Sequence, residues 1–151
     1  MRFANEYREL TVRKITGLCS WGPEDFENYA IHQLEPIMML MNTPAAEVLY
    51  LPGNGMYHGM IRFTDGRTAA LSGFEKGSPF LMNLSGEDEN RVIEVSSDYF
   101  GNFMDALADF FLTGRIPVPR EDTLRTIAVW GALHEAMDSP GQWIPVPDKA
   151  K

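Results

Sequence analysis

The stretch Ile61-Arg62-Phe63-Thr64-Asp65-Gly66-Arg67-Thr68 decides how the chain is read. Apolar and polar residues alternate on both sides of Asp-Gly, a dipeptide that tolerates the positive φ angles of a type I′ turn. The stretch therefore predicts a tight antiparallel hairpin. Working outward, the hydrophobic period stays at two. Residues 46–51, 56–64, 67–71, 79–84 and 91–95 are candidate strands, separated by Pro52-Gly53-Asn54-Gly55, Gly77-Ser78 and Ser85-Gly86-Glu87.

Upstream, residues 10–20 alternate loosely through Val12, Ile15 and Leu18 and read as one more strand. Residues 2–9 have the composition of a short helix without a strong start signal. Gly22-Pro23 followed by Glu24, Asp25 and Glu27 marks a helix start, because proline suits the first turn and acids suit the positive end of the dipole. Phe26, Ala30, Leu34, Ile37, Leu40 and Met41 then form a helical stripe. Pro36 lies inside it and cannot donate to the His32 carbonyl, which predicts a kink or break.

Downstream, Phe100, Phe103, Met104, Leu107, Phe110 and Phe111 share one face of a helix that stops at Gly114. A second helix opens at Glu121 and Asp122, runs through Leu124, Ile127, Ala128 and Gly131 to Met137, and stops before Ser139-Pro140-Gly141. Ile116-Pro117-Val118-Pro119 between them must be extended, and Trp143-Ile144 adds an edge strand. The expectation is a single α+β domain over residues 1–151, a predominantly antiparallel sheet with helices packed on one face. Phe80, Leu81, Met82 and Leu84, and Val48, Leu49, Tyr50 and Leu51, are apolar on both sides of their strands. Either loops cover the open outer face or a second copy of the chain does, and the run of apolar residues favours a homo-oligomer.

Composition narrows the function. Among 151 residues, 13 Lys+Arg against 21 Asp+Glu leave a net charge of −8, which argues against a nucleic-acid partner. No apolar run is long enough to cross a membrane, and the charged N-terminus is unlike a signal peptide, so a cytoplasmic protein is expected. One cysteine, Cys19, excludes an intrachain disulfide and reads as a buried thiol. Neither G-x-G-x-x-G nor G-x-x-x-x-G-K-[ST] occurs, so this chain alone is expected to bind no cofactor.

His32 is the titratable residue of greatest interest. Asn28 and Tyr29 lie four and three residues earlier, Glu35 three later, so all can share its face. An imidazole with such neighbours suits proton transfer; equally, it suits a histidine satisfied within a partly buried helix. His32 and Glu35 supply two metal ligands at most, and no matching ligands occur elsewhere, so no metal is expected. His58 in a strand and His134 near a helix end read as structural, and the nine methionines as core.

Asn28-Tyr29-Ala30-Ile31-His32-Gln33-Leu34-Glu35-Pro36-Ile37, the hairpin at Ile61 to Arg67, and Thr113-Gly114-Arg115-Ile116-Pro117-Val118-Pro119 with the helix and Trp143-Ile144 after it occur in this order. Together with the opening Met1-Arg2-Phe3-Ala4, they resemble the C-terminal domain of the glucose–fructose oxidoreductase/inositol dehydrogenase (Gfo/Idh/MocA) family. That family pairs an N-terminal Rossmann domain, which binds NAD or NADP, with an α+β domain that contacts substrate and assembles through an open sheet. The resemblance implies that His32 removes a hydroxyl proton as hydride passes to the nicotinamide, with Asn28 orienting it and Tyr29 bordering a sugar or polyol. Where the family often has Asp, this chain has Asn28, whose oxygen can orient an imidazole but adds no charge. The family's lysine, glycine-rich loop and Rossmann domain are not among these residues. The expectation is thus the substrate-binding and oligomerisation part of an NAD(P)-dependent oxidoreductase (a dehydrogenase), not catalytic by itself. The alternatives are a stand-alone ligand-binding or assembly protein of the same fold, and an unrelated α+β ligand-binding fold.

Overall fold

In the computed structural model, which describes residues 11–20, 25–76, 78–96 and 98–147, the period-two segments form one seven-stranded sheet. Its strands are β1 (Val12–Ser20), β2 (Ala45–Gly53), β3 (Met56–Phe63), β4 (Thr68–Phe74), β5 (Leu81–Gly86), β6 (Asn90–Glu94) and β7 (Trp143–Pro145). They lie in the order β6-β5-β1-β4-β3-β2-β7. Every neighbouring pair is antiparallel except β1 with β4, which run parallel. The helices are α1 (Asp25–Met41), α2 (Tyr99–Thr113) and α3 (Arg120–Ala136). The helix expected over residues 2–9 and the start of α1 at Gly22-Pro23 lie outside the described residues.

Side-chain alternation gives the sheet a core face and an outer face. Val48, Ile61, Ala69, Ile15 and Leu84 pair in one row across five strands, and none is more than 1% exposed. The next core row is Tyr50, Gly59, Leu71, Gly17, Met82 and Ile93. Side chains of the helices press close on its two glycines. A Cβ on Gly59 would lie 3.2 Å from Leu133 Cδ2 of α3, and one on Gly17 would lie 2.9 Å from Gln33 Nε2 of α1. Phe26, Ala30, Leu34, Ile37, Met38 and Met41 of α1 and Val129, Ala132, Leu133 and Ala136 of α3 complete the same core. Both helices therefore lie on one face of the sheet. None of α2's residues is buried.

The predicted hairpin forms, with a different turn. The Phe63 carbonyl accepts from the Gly66 N–H at 3.0 Å, while the Phe63 N–H donates to the Arg67 carbonyl at 2.9 Å. Gly66 alone takes a positive φ, 86°, and Asp65 does not. This is a three-residue loop ending in a left-handed glycine rather than a type I′ turn. The extra residue confines the left-handed conformation to glycine and frees the Asp65 carboxylate to accept from the Arg67 N–H at 3.1 Å. The Arg67 guanidinium also donates to the carbonyls of Val12, at 2.9 Å, and Met41, joining the hairpin to the start of β1 and the end of α1.

The break expected at Pro36 does not occur, since α1 runs unbroken from Asp25 to Met41. The proline forgoes one hydrogen bond, but Leu34, Ile37, Met38 and Met41 around it are all buried and hold both sides of the helix on the sheet. Asn42, at φ 45°, closes the helix by donating to the Met38 carbonyl at 2.9 Å.

Candidate functional site

Because the stripe from Phe26 to Met41 faces the sheet, the opposite arc of α1 faces away from it. That arc carries Asn28, Tyr29, His32 and Glu35, all exposed. The three site residues named from the sequence therefore share one face, and His32 is not walled into the core. The rings of Tyr29 and His32 meet edge-on, with centroids 5.7 Å apart. Asn28 lies one helical turn before His32, the spacing at which side chains on a helix become neighbours. The arrangement presents an imidazole, a phenol, an amide and a carboxylate side by side on a rigid helix, open to any surface that approaches.

Beneath the start of α1 lies an aromatic stack that the sequence reading did not assemble. Phe26 stacks on Tyr57 at 4.7 Å and on Trp130 at 5.9 Å, and Tyr50 lies 4.7 Å from Tyr57. The Tyr57 hydroxyl donates to the Leu133 carbonyl at 3.3 Å. Burial, with Tyr50 beside it, pushes the phenol well above its usual range, so Tyr57 stays neutral. His134 stands beside Trp130 at 5.8 Å and reaches the Glu27 carboxylate at 3.4 Å. That contact ties the beginning of α1 to the end of α3. It anchors the segment that carries Asn28 and Tyr29.

The remaining candidates are apart from this face. His58 is on the outer face of β3, its Nδ1 2.9 Å from Ser72 Oγ on β4. Cys19 is half-buried at the end of β1, and burial pushes its thiol up, away from the thiolate a nucleophile needs. Among the described residues no cluster of His, Cys, Asp and Glu is arranged to hold a metal ion. Nor do the described residues form a Rossmann-type cradle for a dinucleotide. The single parallel pair, β1–β4, is joined through α1 and a β2–β3–β4 meander, not a glycine-rich βαβ unit.

The outer face is mixed. Over β2–β4, Leu49, Leu51, Met56, Met60 and Phe74 share it with Glu47, His58, Arg62, Thr68 and Ser72, and Leu51 is 41% exposed. At β5 the apolar run proves to alternate: Met82 and Leu84 face the core, Leu81, Asn83 and Ser85 face outward, and Phe80 precedes the strand. Near the β7 edge, Arg62 lies over the Trp143 ring at 4.1 Å and pairs with Glu47.

No protein-family model and no curated protein matches the sequence. Solved structures match it by fold. Scyllo-inositol dehydrogenase from Lactobacillus casei, with bound NAD(H) and scyllo-inositol, matches 96% of this chain at a TM-score of 0.72 and 13% identity. The WlbA dehydrogenase from Bordetella pertussis, in complex with NADH and UDP-GlcNAcA, matches 95% at a TM-score of 0.69 and 13% identity. GenD2 from gentamicin A biosynthesis, in complex with NAD, matches 97% at a TM-score of 0.76 and 12% identity. This chain shares its fold with a part of each of these structures. It spans 59%, 57% and 59% of the length of those three chains respectively. Among the described residues no helix is long and apolar enough to cross a membrane.

Proposed function

We propose that this chain is the substrate-binding and assembly portion of an NAD(P)-dependent sugar or polyol oxidoreductase. In that reading it corresponds to the C-terminal domain of a Gfo/Idh/MocA enzyme, and the coenzyme is held by polypeptide other than residues 1–151. The observation that carries the reading is the outward arc of α1, where His32 stands exposed beside Tyr29. It does so on a fold shared with dehydrogenases whose solved complexes contain scyllo-inositol and UDP-GlcNAcA.

On oxidation, a ring nitrogen of His32 accepts the proton of a substrate hydroxyl; on reduction it returns it. Asn28, one turn earlier, orients the ring through its amide oxygen and adds no charge of its own. Tyr29 offers a ring face to the carbon skeleton of the sugar. The open outer face, where Leu51 and Met56 are exposed and which neither α1 nor α3 covers, serves a homo-oligomer.

Two measurements test this reading. Scyllo-inositol added to the protein should shift the His32 ring resonances in a saturable way, and His32→Ala should abolish binding without changing the unfolding temperature. NADH fluorescence should show no micromolar binding to the chain alone. Unmoved His32 resonances, or micromolar NADH binding, would overturn the reading.

A further inference from the structure

Among the described residues, α2 is the helix whose apolar face nothing covers. Asp98 caps its start by accepting from the Gly101 N–H at 2.9 Å, and Gly114, at φ 72°, closes its end by donating to the Phe110 carbonyl at 2.8 Å. At about 100° per residue, Phe100, Met104, Leu107 and Phe111 run down the centre of one face, with Tyr99, Phe103 and Phe110 along one side. No charged residue interrupts that arc. Yet α2 contributes no residue to the core, and Phe100, Phe103 and Phe111 are 74%, 58% and 76% exposed. Ile116 and Val118, also exposed, continue the stripe past the helix end.

A helix of this length is marginal in water unless an apolar face is packed, and two caps contribute only about 1 kcal/mol each. Aromatic side chains offer roughly 150–250 Å² apiece when whole, and with Tyr99, Phe100, Phe103, Phe110 and Phe111 38–76% exposed the aromatic part of the stripe amounts to about 450–750 Å². A stable interface needs about 800 Å² from each partner, a size the stripe reaches only with exposed Met104, Ile116 and Val118 included.

We propose that α2 pairs antiparallel with α2 of a second copy of this chain. The stripe is symmetric about its midpoint. An antiparallel pair sets Phe100 against Phe111 of the second copy and Met104 against its Leu107, burying the ridge along its whole length. Charge selects the same direction. Asp98 at the start of one helix comes beside Arg115 past the end of the other, and the two helix dipoles oppose. A parallel pair would instead bring Asp98 to Asp98 and Arg115 to Arg115 and align the two dipoles. Arg115 is available for this, being 78% exposed while it contacts Asp109 at 2.8 Å. Ile116 and Val118 then close over Tyr99 and Phe100 of the second copy. This contact is separate from the outer sheet face, so it stands or falls independently of the assembly proposed there.

Light scattering on the full chain reads the outcome. Phe103→Glu/Phe111→Glu should halve the solution mass, whereas Leu51→Glu/Met56→Glu on the sheet reports only on the sheet contact. Direction is read by cross-linking in a Cys19→Ser background. Phe100→Cys/Phe111→Cys should give a disulfide-linked dimer on mild oxidation, and Phe100→Cys alone should give none. The proposal is overturned by a monomeric wild-type chain, whose stripe then belongs to a different occupant such as a coenzyme-binding unit. It is equally overturned by an unchanged mass for the α2 variant, or by cross-linking of Phe100→Cys alone as efficient as that of the pair.

Discussion

Helices α1 and α2 are nearly the same length, 17 and 15 residues, and each carries an apolar stripe at helical spacing. α1 lays Phe26, Ala30, Leu34, Ile37, Met38 and Met41 against the sheet and presents its polar arc to solvent. α2 has the more aromatic stripe and buries none of it. Amphipathic patterning states that a face must be covered and is silent on what covers it. Within one chain, the first pattern is satisfied by the chain's own sheet, and the second is left for another surface. The chemistry separates in the same way, because the polar arc of α1 can carry a substrate site only if its apolar arc is spent on the core.

That contrast breaks most visibly on truncation. Leu34→Ala removes a side chain that is 0% exposed and should cost about 2–5 kcal/mol, lowering the unfolding temperature by roughly 5–15 °C. Phe100→Ala, in dilute protein, should change core unfolding by less than about 0.5 kcal/mol. Thermal scans of the two variants decide the matter. Equal losses would mean that α2 packs on the core like α1.

The glycines sharpen the same contrast between crowded and open places. A Cβ at Gly59 would sit 3.0 Å from Leu71, 3.1 Å from Tyr57 and 3.2 Å from Leu133, so Gly59→Ala should overpack the α3–sheet contact and cost about 1–3 kcal/mol. Gly131, within α3, has nothing within 4 Å of such a Cβ. Gly131→Ala should raise stability by about 0.5–1 kcal/mol, because alanine loses less chain entropy in a helix. Denaturant midpoints read both, and the signs must differ.

What was legible in the sequence was what short-range chemistry decides. The hairpin at Asp65-Gly66, the α1 stripe and the stop at Gly114 all depend on residues a few positions apart, and they form in place. The turn type was misread because it depends on where the Arg67 carbonyl and guanidinium reach, which alternation does not encode. Pro36 was overweighted because its one lost bond is outweighed by burial on both sides, a tertiary quantity. At the candidate site, the shared face of Asn28, Tyr29 and His32 followed from helical spacing. Whether it looked inward or outward had to wait for the sheet. The contact of Glu27 with His134 was not legible at all, since the two meet only when α1 and α3 lie side by side.

A smaller effect separates the two arcs of α1 itself. His32→Ala, two positions from Leu34, should change stability by less than about 0.5 kcal/mol, because the imidazole is exposed and its ring contact is with exposed Tyr29. Calorimetry on the two variants measures both arcs of one helix. A loss of several degrees on His32→Ala would place the imidazole in a structural role and remove the basis for a proton-transfer site.

The smallest expected effect lies in the hairpin loop and depends on pH. The slight burial of Asp65 acts to raise its pKa, but the Arg67 N–H and guanidinium, which donate to it at 3.1 Å and 2.7 Å, outweigh that and hold it below the ordinary 3.8. A carboxylate depressed in the folded state contributes stability above its unfolded pKa and loses it as pH falls through the folded value. The group is exposed, so solvent screens most of the interaction and the contribution is small. Wild type should therefore unfold at a slightly higher temperature than Asp65→Asn near pH 6, and the two curves should converge as the pH is lowered past 3.8. A gap that stays constant across that range would mean that the Asp65 side chain holds the loop by shape rather than charge, and the hairpin would then owe its turn to Gly66 alone.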